Sequence, residues 1–198
     1  MNCICEENFE YHEFVECIAS ALDARDPYTG NHSERVSDMA CELCHILELP
    51  EEQAQEIHIA GHLHDIGKIG IPDRVLLKEG RLNDEEWELM KKHAEIGAGI
   101  LQKSEKFARI SAIILHHHER YDGNGYPFGA KGEEIPLGAR IIAVCDSIDA
   151  MLSNRSYRKA MPFEVCRKEI EKNVGKMYDP VIAKAALDNW EKMISRYK

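Results

Sequence analysis

The sequence predicts an all-α fold, a single compact helical bundle interrupted by one long glycine-rich loop. Three observations carry this expectation. Apolar residues recur at helical spacing in one segment after another. Prolines and capping residues stand where such segments should start and stop. No stretch shows the apolar–polar alternation of a half-buried strand.

Phe14, Val15, Ile18, Ala21 and Leu22 predict a first helix over residues 8–25. Asp26-Pro27 ends it, because the residue before a proline disfavours helical torsions. Val36, Met39, Ala40, Leu43 and Leu47 share one face of a second helix over 30–47. Pro50, Glu51 and Glu52 start a third: proline suits the first turn, and the acids suit the positive end of the helix dipole. That helix is expected to run to Lys68. Residues 69–80 read as a connector with one turn after Pro72. Asn83-Asp84-Glu85-Glu86 has the form of a capping box and opens a helix to Leu101 that carries His93. Residues 107–118 make a helix ending in three histidines. Residues 119–137 hold Gly123, Gly125, Pro127, Gly129, Gly132 and Pro136, a loop of the length usually reserved for function or disorder. Helices over 139–152, 162–173 and 180–196 close the bundle.

With 198 residues the chain can bury one sizeable core, so one domain is expected over 8–198 after a disordered tail of residues 1–7. Apolar residues make up 44% and charged residues 30%, a globular composition with no apolar run approaching a membrane span. The first ten residues lack the basic and apolar regions of a secretory signal, so a cytoplasmic location is expected. The net charge of −10 opposes binding to DNA or RNA but leaves small phosphates open, where metals and local cations set the field. Seven cysteines, an odd number, argue against a disulfide framework. Cys41 and Cys44 have redox spacing but lie mid-helix, and read as packing.

The chemistry concentrates in two blocks, His64-Asp65-Ile66-Gly67-Lys68 and His117-His118-Glu119-Arg120-Tyr121-Asp122-Gly123-Asn124-Gly125-Tyr126-Pro127. Histidine nitrogens beside carboxylates can hold divalent metals that turn water into hydroxide, and Lys68 can steady a phosphate next to them. This points to hydrolysis of a phosphate ester. Potential ligands are His32, His64, Asp65, His93, His117, His118 and Asp146, near the ends of separate helical segments, as when ligands are delivered to a bundle core. His12, His45, His58 and His62 are set aside as core or surface residues. His58 and His62 can share a helix face, but no carboxylate in the local sequence completes them.

These blocks resemble the HD-GYP subgroup of the HD phosphohydrolase superfamily. Further blocks agree: Arg25-Asp26-Pro27-Tyr28-Thr29-Gly30-Asn31-His32-Ser33, Lys131-Gly132-Glu133-Glu134-Ile135-Pro136-Leu137, Ala139-Arg140-Ile141-Ile142-Ala143-Val144-Cys145-Asp146, and Asp149-Ala150-Met151. The resemblance spans about residues 10–195 and implies a bundle of the HD-domain type that hydrolyses cyclic di-GMP. It implies two divalent metals, iron foremost, with manganese or other ions as substitutes. The implied ligands are His32, His64, Asp65, His93, His117, His118 and Asp146. Asp65 is implied to bridge the metals, whose shared hydroxide would attack phosphorus. Asp65, Lys68 and Asp149 are the implied catalytic residues, with Lys68 on the scissile phosphate and Asp149 either orienting Lys68 or handling the leaving-group proton. Lys68, Tyr126, Lys131, Arg155 and Arg158 are implied to bind substrate. Tyr126 either contacts ligand or anchors its loop, and that loop is implied to meet diguanylate cyclase domains.

Three departures from the family pattern stand out. Asn154-Arg155-Ser156-Tyr157-Arg158 lacks the family's proline. Cys145 places a free thiol beside Asp146. Tyr28 stands where members with three metals carry a carboxylate, so two metals are expected. The competing expectations are a non-catalytic binding module for the messenger or a partner, and an HD nucleotidase of other specificity.

Overall fold

The computed structural model describes residues 4–25, 31–154 and 159–197. Among them the regular structure is helical, with one isolated bridge between Val174 and Tyr178. Helix α1 spans Ile4–Arg25, so the tail expected over 1–7 is helical from Ile4 onward. Helix α2 spans His32–Ile46 and α3 spans Glu51–Leu63.

The third helix stops before the expected Lys68. The chain narrows into a 3-10 helix at Ile66–Gly70, directly after His64 and Asp65. Glycine makes this possible: a Cβ on Gly67 would lie 1.8 Å from the His93 carbonyl and 2.5 Å from the Gly97 nitrogen. The segment carrying Lys68 therefore packs backbone to backbone on its neighbour.

Helix α4 is one turn, Asp73–Leu76, after Pro72. The helix expected from Asn83 to Leu101 is two: α5, Asp84–Lys91, and α6, His93–Leu101. The capping box is present as expected, with the Asn83 side chain accepting from the Glu86 N–H and the Glu86 carboxylate accepting from the Asn83 N–H, both at 2.8 Å. Helix α7, Ala108–His116, precedes the long loop, and α8, Leu137–Leu152, follows it. Helices α9, Phe163–Lys172, α10, Pro180–Asp188, and the one-turn α11, Trp190–Met193, close the chain before a 3-10 turn at Ser195–Tyr197.

The core lies where α2, α3, α7 and α8 meet. Val36, Ala40 and Leu43 from α2, Ile57 and Ala60 from α3, Ile114 from α7 and Ile141, Ile142, Val144 and Ile148 from α8 are all buried within it. Each large aliphatic side chain so buried contributes about 1.5–3 kcal/mol relative to exposure. Helices α9–α11 cover one flank through Ile170, Ile182, Ala186 and Met193. A small second core of Ile71, Val75 and Leu76 forms beneath Leu82, Leu89 and Ile96. Cys44 and Cys145 are buried, and burial pushes the Cys44 thiol up to about 12, in keeping with a packing role.

Candidate metal centre

The ligand candidates sit where helices end. His64 follows the last residue of α3, His93 opens α6 directly behind α5, and His117 follows α7. A helix leaves its last four carbonyls without intrahelical partners. These imidazoles take them up. His64 Nδ1 donates to the Gly61 carbonyl at 2.7 Å, His93 Nδ1 to Met90 at 2.8 Å, and His117 Nδ1 to Ile114 at 2.6 Å. His32, the first residue of α2, donates Nδ1–H to Asp149 Oδ2 at 2.6 Å. In all four the proton sits on Nδ1, so the Nε2 lone pair faces the centre, the tautomer a metal requires.

Two groups result. In one, ligand atoms of His32, His64 and Asp146 lie within 4.8 Å of one another; in the other, those of His93, His117 and His118 do. His32 Nε2 is 3.2 Å from His64 Nε2 and 3.4 Å from Asp146 Oδ1, and His93 Nε2 is 3.3 Å from His117 Nε2. Such spacings match the edges of a coordination shell with bonds of about 2.1 Å. Asp65 lies between the groups. Its Oδ2 is 3.4 Å from His64 Nε2 and 3.7 Å from His32 Nε2, and its Oδ1 is 3.5 Å from His93 Nε2. One carboxylate thus offers one oxygen to each group.

The charges favour cations. Burial pushes the Asp65 carboxyl up, but Lys68, His64, His93 and His32 outweigh it and hold it well below the usual carboxylate range. Burial, reinforced by neighbouring imidazoles, keeps His117 and His118 well below the ordinary histidine range, so they are neutral imidazoles, the form that can hold a metal. His32 is raised: burial lowers it, but Asp149, Asp146 and Asp65 prevail. The donor set, imidazole nitrogens with two carboxylates and no thiolate, suits divalent iron, manganese or zinc.

Lys68 Nζ is 2.7 Å from Asp65 Oδ2, at the edge of the centre. Arg25 locks the turn that carries it. Its guanidinium donates to the carbonyls of Lys68, Ile69 and Ile71 and to Asp73 Oδ1, all at 2.7–2.8 Å. Tyr126 packs on His118 with ring centroids 4.9 Å apart and meets Trp87 edge-on. Burial, with Asp65 and Asp146, pushes its phenol up, so it stays a hydrogen-bond donor. A Cβ on Gly125 would come within 2.3 Å of the Arg120 nitrogen, so only glycine lets the loop turn back here. The peptide after Tyr126 is cis, and Glu119 Oε1 accepts from the Phe128 N–H at 2.8 Å.

Asp149 lies among several partners. It is 1% exposed and is taken up by His32, by Arg35 Nε at 2.5 Å, by Ser153 and by the Tyr197 hydroxyl. These contacts set it behind His32, on the Nδ1 side of the ring. Arg35, Tyr197 and Arg25 had no assigned role from sequence; only the order Arg25 to His32 within one block pointed to the last of them. Lys131 is exposed on the loop, its backbone N–H donating to the Glu134 carboxylate at 3.2 Å. Arg155, Arg158 and Tyr28 lie outside the described residues.

A family model described as HD domain matches residues 16–182. The chain belongs to the HD domain family. A cyclic di-GMP phosphodiesterase of Thermotoga maritima is 45% identical over 189 residues, covering 92% of this chain and 51% of that protein. A 3'3'-cGAMP-specific phosphodiesterase of Vibrio cholerae is 38% identical over 185 residues, covering 92% of this chain and 35% of that one. The chain thus spans about half the length, or less, of these relatives. A crystal structure of a cyclic GMP-AMP specific phosphodiesterase of V. cholerae aligns with a TM-score of 0.71 at 21% identity, over 93% of this chain and 50% of that one, and shows the same HD fold. The expected HD-GYP membership and all-α class stand. Among the described residues, no helix is long and apolar enough to cross a membrane.

Proposed function

We propose that this HD domain is a metal-dependent phosphodiesterase that hydrolyses cyclic di-GMP to the linear dinucleotide, to GMP, or to both. The observation that carries the reading is Asp65, placed between two three-ligand groups with Lys68 beside it. Two divalent ions, iron foremost with manganese as a substitute, would be held by His32, His64 and Asp146 and by His93, His117 and His118, with Asp65 shared. Bound there, they would lower the pKa of a water and polarise phosphoryl oxygens.

The side chains do the rest. Lys68 pairs with the scissile phosphate in place of Asp65, its backbone fixed by Arg25. Asp149 and Arg35 hold the His32 ring. Tyr126, kept protonated, donates to the substrate or anchors its loop against His118. Arg155, Arg158 and Lys131 contribute charge to phosphate and guanine edges, and the loop of Tyr126 serves as a contact for diguanylate cyclase domains. The names of the Thermotoga and Vibrio relatives support a cyclic dinucleotide as substrate.

The test is turnover under anaerobic conditions with Fe2+ or Mn2+, across cyclic di-GMP, 3'3'-cGAMP, a linear dinucleotide and dNTPs. Cyclic di-GMP should be cleaved fastest. Faster cleavage of 3'3'-cGAMP or of dNTPs would reassign the specificity. Binding of cyclic di-GMP without turnover in metal-replete protein would make the domain a binding module.

A further inference from the structure

The sequence left His58 and His62 without a completing ligand, but helix α1 brings one. His12, 46 positions before His58, stacks on His58 with ring centroids 5.0 Å apart, and the two Nε2 atoms are 2.8 Å apart. His62 meets both rings edge-on, at 5.3 Å from His12 and 4.8 Å from His58. One ligand nitrogen from each of the three lies within 4.8 Å of the others.

Two details describe what faces inward: an acceptor at His58 Nε2, to which His12 Nε2–H donates at 2.8 Å, and a His62 Nε2 without a partner. The Ser37 hydroxyl donates to the His58 carbonyl at 2.7 Å, so toward His58 Nδ1, also at 2.7 Å, it can only accept. That puts the His58 proton on Nδ1 and a lone pair on Nε2. His62 is 3% exposed, and its Nε2 has no hydrogen-bond partner. A buried polar atom left so is destabilising, and a bound cation would satisfy it. On the outer side, His12 Nδ1 lies 3.5 Å from Glu16, and Asp38 adds negative charge near His58. These are the usual outer partners of ligating imidazoles. Side chains two apart on a helix face different ways, so His62 and His64 serve separate places.

We propose that His12, His58 and His62 form a second metal site, independent of the Asp65 centre, for a borderline divalent cation of the Zn2+ class. Three imidazoles leave a fourth tetrahedral position open. Bonds of about 2.0–2.1 Å would set the nitrogens about 3.3 Å apart, so the pair now at 2.8 Å opens slightly. The ion joins α1 to α3, and α1 also carries Arg25, which fixes the turn of Lys68.

The test uses the 198-residue chain stripped by chelator and titrated with Zn2+ and with Co2+, with bound metal counted per chain and the Co2+ spectrum followed. His12→Ala and His58→Ala should each remove one equivalent, or weaken one site at least about tenfold, and should abolish one Co2+ absorption component. Combining His12→Ala with Asp65→Ala should lose metal additively. His12 is partly exposed, so His12→Ala reads out even if the buried His62→Ala fails to fold. Wild-type stoichiometry, affinity and Co2+ spectrum in both His12→Ala and His58→Ala would overturn the proposal.

Discussion

Asp149 is the residue through which the orientation of His32 can be tested. It fixes His32 from behind, with Arg35 and Tyr197 completing its shell. Asp149→Ala should weaken metal binding about 10–100-fold, while Asp149→Glu recovers part of it; elemental analysis against a metal-buffer series checks this. Burial pushes the Asp149 carboxyl up, but His32, Arg35 and Tyr197 outweigh it and hold it low. A depressed carboxyl contributes stability above its unfolded pKa of about 3.9 and loses it as pH falls through the folded value. The Tm advantage of metal-free wild type over Asp149→Asn should therefore persist above pH about 4 and shrink below it. A difference that does not vary with pH in thermal melts would contradict this. The ligand types were legible in the sequence because His-Asp and His-His pairs are rare and adjacent. The role of Asp149 was not, since its partners Arg35 and Tyr197 lie 114 and 48 positions away.

The elements explain where prediction from sequence stopped. Helical spacing and the Asn83 capping box located most helices, but the break after Leu63 left no periodic trace. It arises from the close approach of Gly67 to α6, a tertiary fact. Likewise α5 and α6 read as one helix, because the break is a single turn residue, Lys92, with near-helical torsions and neither proline nor glycine. The 3-10 helix and the residues just after it are held by the four hydrogen bonds of Arg25, two to Lys68 and Ile69 and two to Ile71 and Asp73. Arg25→Ala should lower kcat and raise KM together, about tenfold or more in kcat/KM, with metal content unchanged; Arg25→Lys should recover little, since one ammonium cannot reach all four acceptors. Metal loss in Arg25→Ala would instead make it a support of the metal centre. Gly67→Ala forces the backbones of this turn and α6 apart, and should lower Tm by several degrees in calorimetry.

At the scale of the molecule, the bundle gathers ligands from positions 32 to 146 by ending three helices at one point and closing them with α8. A packed core of α2, α3, α7 and α8 keeps those ends in register. The three-histidine site shows the reverse of legibility: its third ligand is 46 positions from the nearest of the other two, and only the packing of α1 on α3 reveals it. The measurement that bears most directly on the central claim is metal content and cyclic di-GMP turnover of Asp65→Ala beside wild type, with folding followed by circular dichroism. The expected result is a folded protein that has lost at least one ion from the Asp65 centre and at least about a thousandfold in turnover, since the residue shared by both ligand groups is gone. A folded Asp65→Ala with full metal content and near wild-type turnover would contradict the account.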